Sequence, residues 1–174
     1  MQLADLNALD DGAAAAEFLR CCGSSRWAQR MAASRPFGDA EKMRAVADAI
    51  WSVLHREDWL EAFAAHPKIG DTGAGEAERA GEAAWAQAEQ AGVAGAAEQT
   101  RRRLADANRA YEARFGYIFI VCAAGKSAGE MLALLEGRLR HDAHEELPIA
   151  AEEQRKITQL RLTKLLAIEP DTHS

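Results

Sequence analysis

Asp39-Ala40-Glu41-Lys42-Met43-Arg44-Ala45-Val46-Ala47-Asp48-Ala49-Ile50-Trp51-Ser52-Val53-Leu54 is the stretch that decides the fold class. Met43, Val46, Ala47, Ile50 and Leu54 recur at helical intervals, so they share one apolar face. Asp39 precedes that face with a side chain suited to accept from the unpaired amides of a first helical turn. The segment therefore reads as an amphipathic helix.

The same pattern extends outward in both directions. Upstream, Arg35-Pro36-Phe37-Gly38 breaks the chain. Before it, Ser24 caps a segment running through Met31. Asp10 or Asp11 caps another over residues 13–20, which Gly23 closes. Downstream, residues 58–65 form a short helix with Trp59, Leu60 and Phe63 inward. After an interruption and a loop over residues 72–75, helices are predicted over 76–91 and 97–114, ended by Gly92 and Gly116. Ser127-Ala128-Gly129-Glu130 has the form of a capping box and starts a helix to Arg140. Glu145-Glu146-Leu147-Pro148 opens the last helix, with Pro148 in its first turn, and that helix runs to Ala167.

Tyr117-Ile118-Phe119-Ile120-Val121-Cys122 is the one strand-like run. It has no partner of its own type, so it reads as a buried extended segment or the start of a helix, not as part of a sheet. Alanine, the best helix former, is abundant throughout. The expectation is an all-α fold, a compact single-domain multi-helix bundle over residues 1–174.

The net charge is −6, with acids and bases interspersed, which argues against a nucleic-acid partner. Cys21, Cys22 and Cys122 form no CxxC, so neither a disulfide framework nor a zinc site is expected. The acidic opening residues lack the basic flank of a secretory leader, and no apolar run approaches membrane-spanning length. A cytoplasmic protein with no membrane partner is expected.

Three places do not suit a plain bundle. In His66-Pro67-Lys68-Ile69-Gly70-Asp71 an imidazole sits at a forced break, where Pro67 restricts the backbone of His66. Glu89 shares a helix face with Trp85 and is drawn toward the core if Trp85 is inward. Arg161 lies between Ile157 and Leu165 on one helical stripe. Each also has an ordinary structural reading: a surface imidazole, a solvated helix end, and a guanidinium that snorkels outward. Lys68 and Asp71 read as a local pair that pins the turn. His141 and His144 are spaced as metal ligands but fall in a helix junction without further ligands, so a solvated loop is the better reading. Arg101-Arg102-Arg103 reads as a solvated face.

These places coincide with a known family. Ala65-His66-Pro67-Lys68-Ile69-Gly70-Asp71 resembles the signature of 2-oxo-4-hydroxy-4-carboxy-5-ureidoimidazoline (OHCU) decarboxylases. Glu89-Gln90-Ala91-Gly92 is similar to that family's second motif. Asn108, Tyr111, Phe115 and Gly116, followed by residues 119–127, are similar to its third. Residues 151–162 resemble its last helix. The motifs occur in order across nearly the whole chain.

The resemblance implies an all-helical, usually dimeric enzyme of urate breakdown. Such an enzyme converts OHCU to (S)-allantoin and carbon dioxide without a metal or organic cofactor. It implies catalytic roles for His66, Glu89 and Arg161. Pro67, Gln90, Phe119, Ile120, Val121, Cys122 and Ala123 would bind the substrate, the last five largely through their backbone. Many members carry a Ser three residues before the Glu. Here Ala86 stands on that wall, which removes one possible hydrogen bond of about 0.5–1.5 kcal/mol.

On this reading His66 is a general acid/base at the hydroxyl-bearing carbon, and its proton ends on that carbon. Glu89 pairs with His66 or the ureido group, Gln90 bonds the ureide, and Arg161 holds an anionic or carbonyl edge. The three catalytic side chains are expected to converge on one pocket. Two other classes are compatible with the residues. A hydrolase of a related cyclic ureide would release no carbon dioxide. A non-catalytic helical binding module would leave the three side chains apart and solvated.

Overall fold

The structure is a computed structural model that describes residues 1–67 and 97–167. Among the described residues there are eight helices and no strand. They are α1 (Leu3–Ala8), α2 (Asp11–Cys21), α3 (Ser25–Ala33), α4 (Ala40–Ser52), α5 (Arg56–Ala64), α6 (Glu98–Phe115), α7 (Ala128–Arg138) and α8 (Ala143–Ala167). None of them is long and apolar enough to cross a membrane. The all-α expectation therefore holds. The predicted helix over 76–91 lies outside the described residues.

The chain divides into two compact units. The first comprises Met1–Ala62 with Arg155–Ser174, and the second comprises Phe63–Gln154.

In the first unit the caps form where short polar side chains precede apolar faces. Asp10 accepts from the Ala13 amide at 2.8 Å, Ser24 from that of Trp27 at 3.3 Å, and Asp39 from that of Lys42 at 2.7 Å. The core gathers Phe18, Trp27, Met31 and Met43, with Phe18 edge-on to both Trp27 and Phe37. The Trp27 indole donates to the Ala47 carbonyl at 3.1 Å, so its burial leaves no orphaned polar atom. The inward face of α4 is Met43, Ala47 and Trp51, while Val46 and Ile50 are half-buried at its border; the helix ends at Ser52, and Leu54 is buried just beyond it.

Helix α1 was not anticipated, because six residues carry too little periodicity. Its C-terminal carbonyls are collected by Arg35, which donates to Leu6 at 3.0 Å and Leu9 at 2.5 Å. The middle of α8 is tied to α4 by Gln159 and Arg155, which both donate to the Asp48 carboxylate.

In the second unit, α6 ends at Gly116 in the left-handed conformation (φ 81°). Residues 117–123 then run as a strap outside helix and strand, buried except for the half-buried Ile118, and they join no sheet, as the sequence suggests. Ser127 and Glu130 close a capping box, and α7 begins. Phe63, Tyr111, Phe115, Tyr117 and Phe119 form one aromatic cluster around the strap.

The start of the last helix differs from expectation. It begins at Ala143, and Pro148 lies inside it rather than in the first turn. Asp142 sets the start: its carboxylate accepts from the amides of His144 at 2.8 Å and Glu145 at 2.9 Å. Pro148 lacks the donor for only one carbonyl there, a tolerable loss so near the terminus.

Candidate active site

Helix α5 stops at Ala64, and Pro67 disfavours helical backbone at His66. Between them His66 is held in a turn by a bond from its amide to the Phe63 carbonyl at 3.2 Å. The imidazole is half-buried and Pro67 is exposed. The ring nitrogen Nε2 lies 2.6 Å from Oε1 of Gln154, a fully buried side chain on α8.

The neighbouring residue of α8, Glu153, accepts from the backbone N–H of Cys122 at 2.7 Å. One turn of α8 thus ties down both the imidazole and the strap that contains Phe119, Ile120, Val121, Cys122 and Ala123. All five strap residues are buried. Lys126 reinforces the hold by donating Nζ to the Cys122 carbonyl at 2.8 Å. A ligand seeking the Cys122 N–H must therefore compete with Glu153.

A second anchor grips the strap at Ile120, whose carbonyl accepts from Arg138 Nη1 at 2.5 Å. The Arg138 guanidinium also lies over the Phe119 ring at 4.6 Å. Its charge is met by Glu146, which is completely buried. Arg138 Nε and Nη2 reach Glu146 Oε1 at 2.7 and 2.5 Å. Tyr111 donates its hydroxyl to the same oxygen, and His141 Nδ1 lies 2.9 Å from Oε2. Burial, followed by the bond to Glu146, pushes the Tyr111 phenol far above its ordinary range, so it stays a donor. His141 is thus engaged and half-buried, not simply solvated as its position suggested.

Arg161 lies in the first unit. It does not snorkel: only 7 % of it is exposed, and Ile157, Leu162 and Leu165 around it are buried. Its positive charge acts on Cys21 and Cys22 and works against their burial. Burial still prevails and raises the two thiols to about 12 and about 11. Both are neutral at ordinary pH and poorly suited to nucleophilic work.

The structure brings His66 and residues 119–123 into the second unit, and holds Arg161 as a buried cation in the first. Ala86, Glu89 and Gln90, with Lys68 and Asp71, lie outside the described residues. The sequence reading missed Glu153, Gln154, Arg138 and Glu146. A signal for two of them was present. On α8, Glu146, Ala150, Gln154, Thr158, Arg161 and Leu165 form one buried stripe, and polar residues within such a stripe require partners.

The chemistry available here is proton transfer by an oriented imidazole beside a rigid, backbone-rich wall. The OHCU decarboxylase family profile matches residues 7–163. The uric acid degradation bifunctional protein TTL of Arabidopsis thaliana is 37% identical over 151 residues, covering 87% of this chain and 47% of that protein. The chain therefore spans about half the length of that relative. A 2-oxo-4-hydroxy-4-carboxy-5-ureidoimidazoline decarboxylase of Haloferax volcanii is 29% identical, over 97% of this chain and 98% of that one. A crystal structure of OHCU decarboxylase in the presence of (S)-allantoin is similar with a TM-score of 0.76 and 38% identity. The likeness covers 87% of this chain and 98% of that one.

Proposed function

The chain belongs to the OHCU decarboxylase family, and from that premise we propose that it releases carbon dioxide from OHCU to form (S)-allantoin in urate breakdown. The observation that carries this reading is a family match over residues 7–163. Within that match, the motif histidine is fixed at 2.6 Å by a buried amide. The span of the match also supports treating the chain as one functional domain.

The reaction breaks the bond between the ring carbon and its carboxylate. The electron pair left behind flows into the adjacent carbon–nitrogen double bond of the imidazoline. The substrate is thus its own electron sink, and no organic cofactor is required. Atom balance moves the proton from where the sequence reading puts it. The hydroxyl-bearing carbon becomes the product's carbonyl, so it keeps no proton. The new C–H bond and the stereocentre are on the neighbouring ureido-bearing carbon. The ring nitrogen that receives the pair takes up one proton from water, and His66 relays the other: it takes one from the hydroxyl and returns one to the ureido-bearing carbon, from one side.

Glu89 favours the charged imidazolium by its carboxylate, or engages the ureido group. Gln90 bonds the ureide, and Arg161 holds an anionic or carbonyl edge by charge-assisted bonds. Pro67, Ala86 and the backbone of Phe119, Ile120, Val121, Cys122 and Ala123 complete the substrate's surroundings. These assignments rest on the match of each residue to the family motifs, apart from Ala86, which stands where many members have Ser. A homodimer follows from the same resemblance, and the cytosol is the compartment proposed for it.

Chiral analysis of allantoin made from freshly generated OHCU tests the reading. With the protein, carbon dioxide release accelerates and the S isomer predominates. Without it, the slow reaction gives both isomers. His66→Asn should lose most of the acceleration and the handedness, and a variant that keeps both would refute the role given to His66.

A further inference from the structure

We infer that Gln154 is the positioning residue of His66: its amide oxygen receives the Nε2 proton and thereby selects Nδ1 as the nitrogen that accepts a proton. The inference rests on the reading of His66 as the proton carrier.

A neutral imidazole has one donor and one acceptor nitrogen, and its neighbours decide which is which. Here Oε1 of Gln154 faces Nε2 at 2.6 Å, so Nε2 is the donor. The less mobile partner is the glutamine. It is completely buried within α8, whereas the imidazole is half-buried. A buried amide has no water to fall back on, so it holds its partner to one geometry. Pro67 restricts the same residue from the backbone side. The ring is thus fixed at its root and at its tip. Glu153, one residue earlier on α8, fixes the Cys122 amide at 2.7 Å, so ring and strap share one reference. Gln154 is neutral. It sets tautomer and ring direction without adding the charge that an aspartate or glutamate partner brings.

The test uses the full chain with nitrogen-15-labelled imidazoles. In the wild type the neutral His66 ring should give the nitrogen shifts of the Nε2–H form. Gln154→Leu should give a mixture of both tautomers, with kcat down roughly ten- to hundredfold and KM changed much less. Gln154→Glu keeps an oxygen acceptor, so it should retain the Nε2–H form and recover kcat above the leucine variant. If circular dichroism shows Gln154→Leu unfolded, Gln154→Met, of similar length, carries the same two readouts. An unchanged tautomer with unchanged kcat in the apolar variant overturns the inference. A shifted tautomer with unchanged kcat leaves Gln154 in control of the ring but sinks the catalytic role of His66. His66→Asn checks that role separately.

Discussion

Glu146 shows how much one side chain can organise. Two guanidinium nitrogens of Arg138, the Tyr111 hydroxyl and the His141 ring all converge on its two oxygens, and the carboxylate itself is completely buried. Each member is satisfied by the others, which is the condition under which a buried polar network is stable. Removing one charge leaves the other stranded. Glu146→Leu is expected to cost about 3 kcal/mol and Arg138→Met a similar amount, because a buried pair broken on one side loses about 3–5 kcal/mol. The double variant Arg138→Met/Glu146→Leu should lose clearly less than the sum, since neither charge remains. Urea unfolding of the four proteins measures this coupling, and strict additivity would show that the two side chains act independently. The single Arg138 variant should also weaken catalysis beyond its effect on folding. It releases the Ile120 carbonyl and therefore one end of the strap.

At the scale of elements, the strap depends on how α6 ends. Gly116 has φ 81°, and a Cβ built there meets nothing within 4 Å. The position has room for a side chain but not the backbone conformation that one prefers. Gly116→Ala should therefore cost about 1 kcal/mol, and Gly116→Asn less, because Asn tolerates the left-handed region. Thermal melts decide it: equal losses for Ala and Asn would point to packing and not to backbone strain. Elements of this kind were readable in advance because their signals are local. The caps at Asp10, Ser24, Asp39 and Ser127 each depend on an amide three residues away. The strap stood out as a β-branched and aromatic run without a partner. Pro148 misplaced the start of α8 because it was read as the first-turn marker, whereas the Asp142 side chain holds that position. The site was readable only in part. His66 betrayed itself by the proline beside it. Gln154 is 88 residues away from it, and no periodicity encodes a pairing over that distance. Arg138 sits in an ordinary helical context, and although Glu146 lies on the buried stripe of α8, only folding reveals that the two meet.

For the molecule as a whole, the two sides of neutrality are governed by different groups. On the acid side, Asp39 and Asp142 accept mainly from backbone amides at helix starts. Glu130 does the same within its capping box, and Glu98 accepts from Arg102 and Arg101. All four are held below their ordinary values of 3.8 for Asp and 4.5 for Glu. A lowered carboxylate binds fewer protons folded than unfolded. Its contribution is present above the ordinary value and is lost as pH falls through the lowered one. On the alkaline side the sign reverses. Cys21 and Cys22 are raised by burial from 9.0 to about 12 and about 11, and the Tyr111 phenol is raised above 10.0. The folded chain keeps protons that the unfolded chain releases, so stability declines as pH rises beyond 9. The melting temperature should therefore be nearly level from about pH 5 to about pH 9 and fall on both sides. Added salt should weaken the Glu98 contribution most, since its arginine partners are exposed. Cys21→Ala/Cys22→Ala removes two of the three alkaline groups and should flatten that limb. An unchanged limb would assign the loss to Tyr111 and so to the Glu146 network. The same burial predicts that a thiol reagent at pH 8 reaches Cys21 and Cys22 only as fast as the chain unfolds. Labelling of the native protein ahead of unfolding would mean that the first unit opens locally.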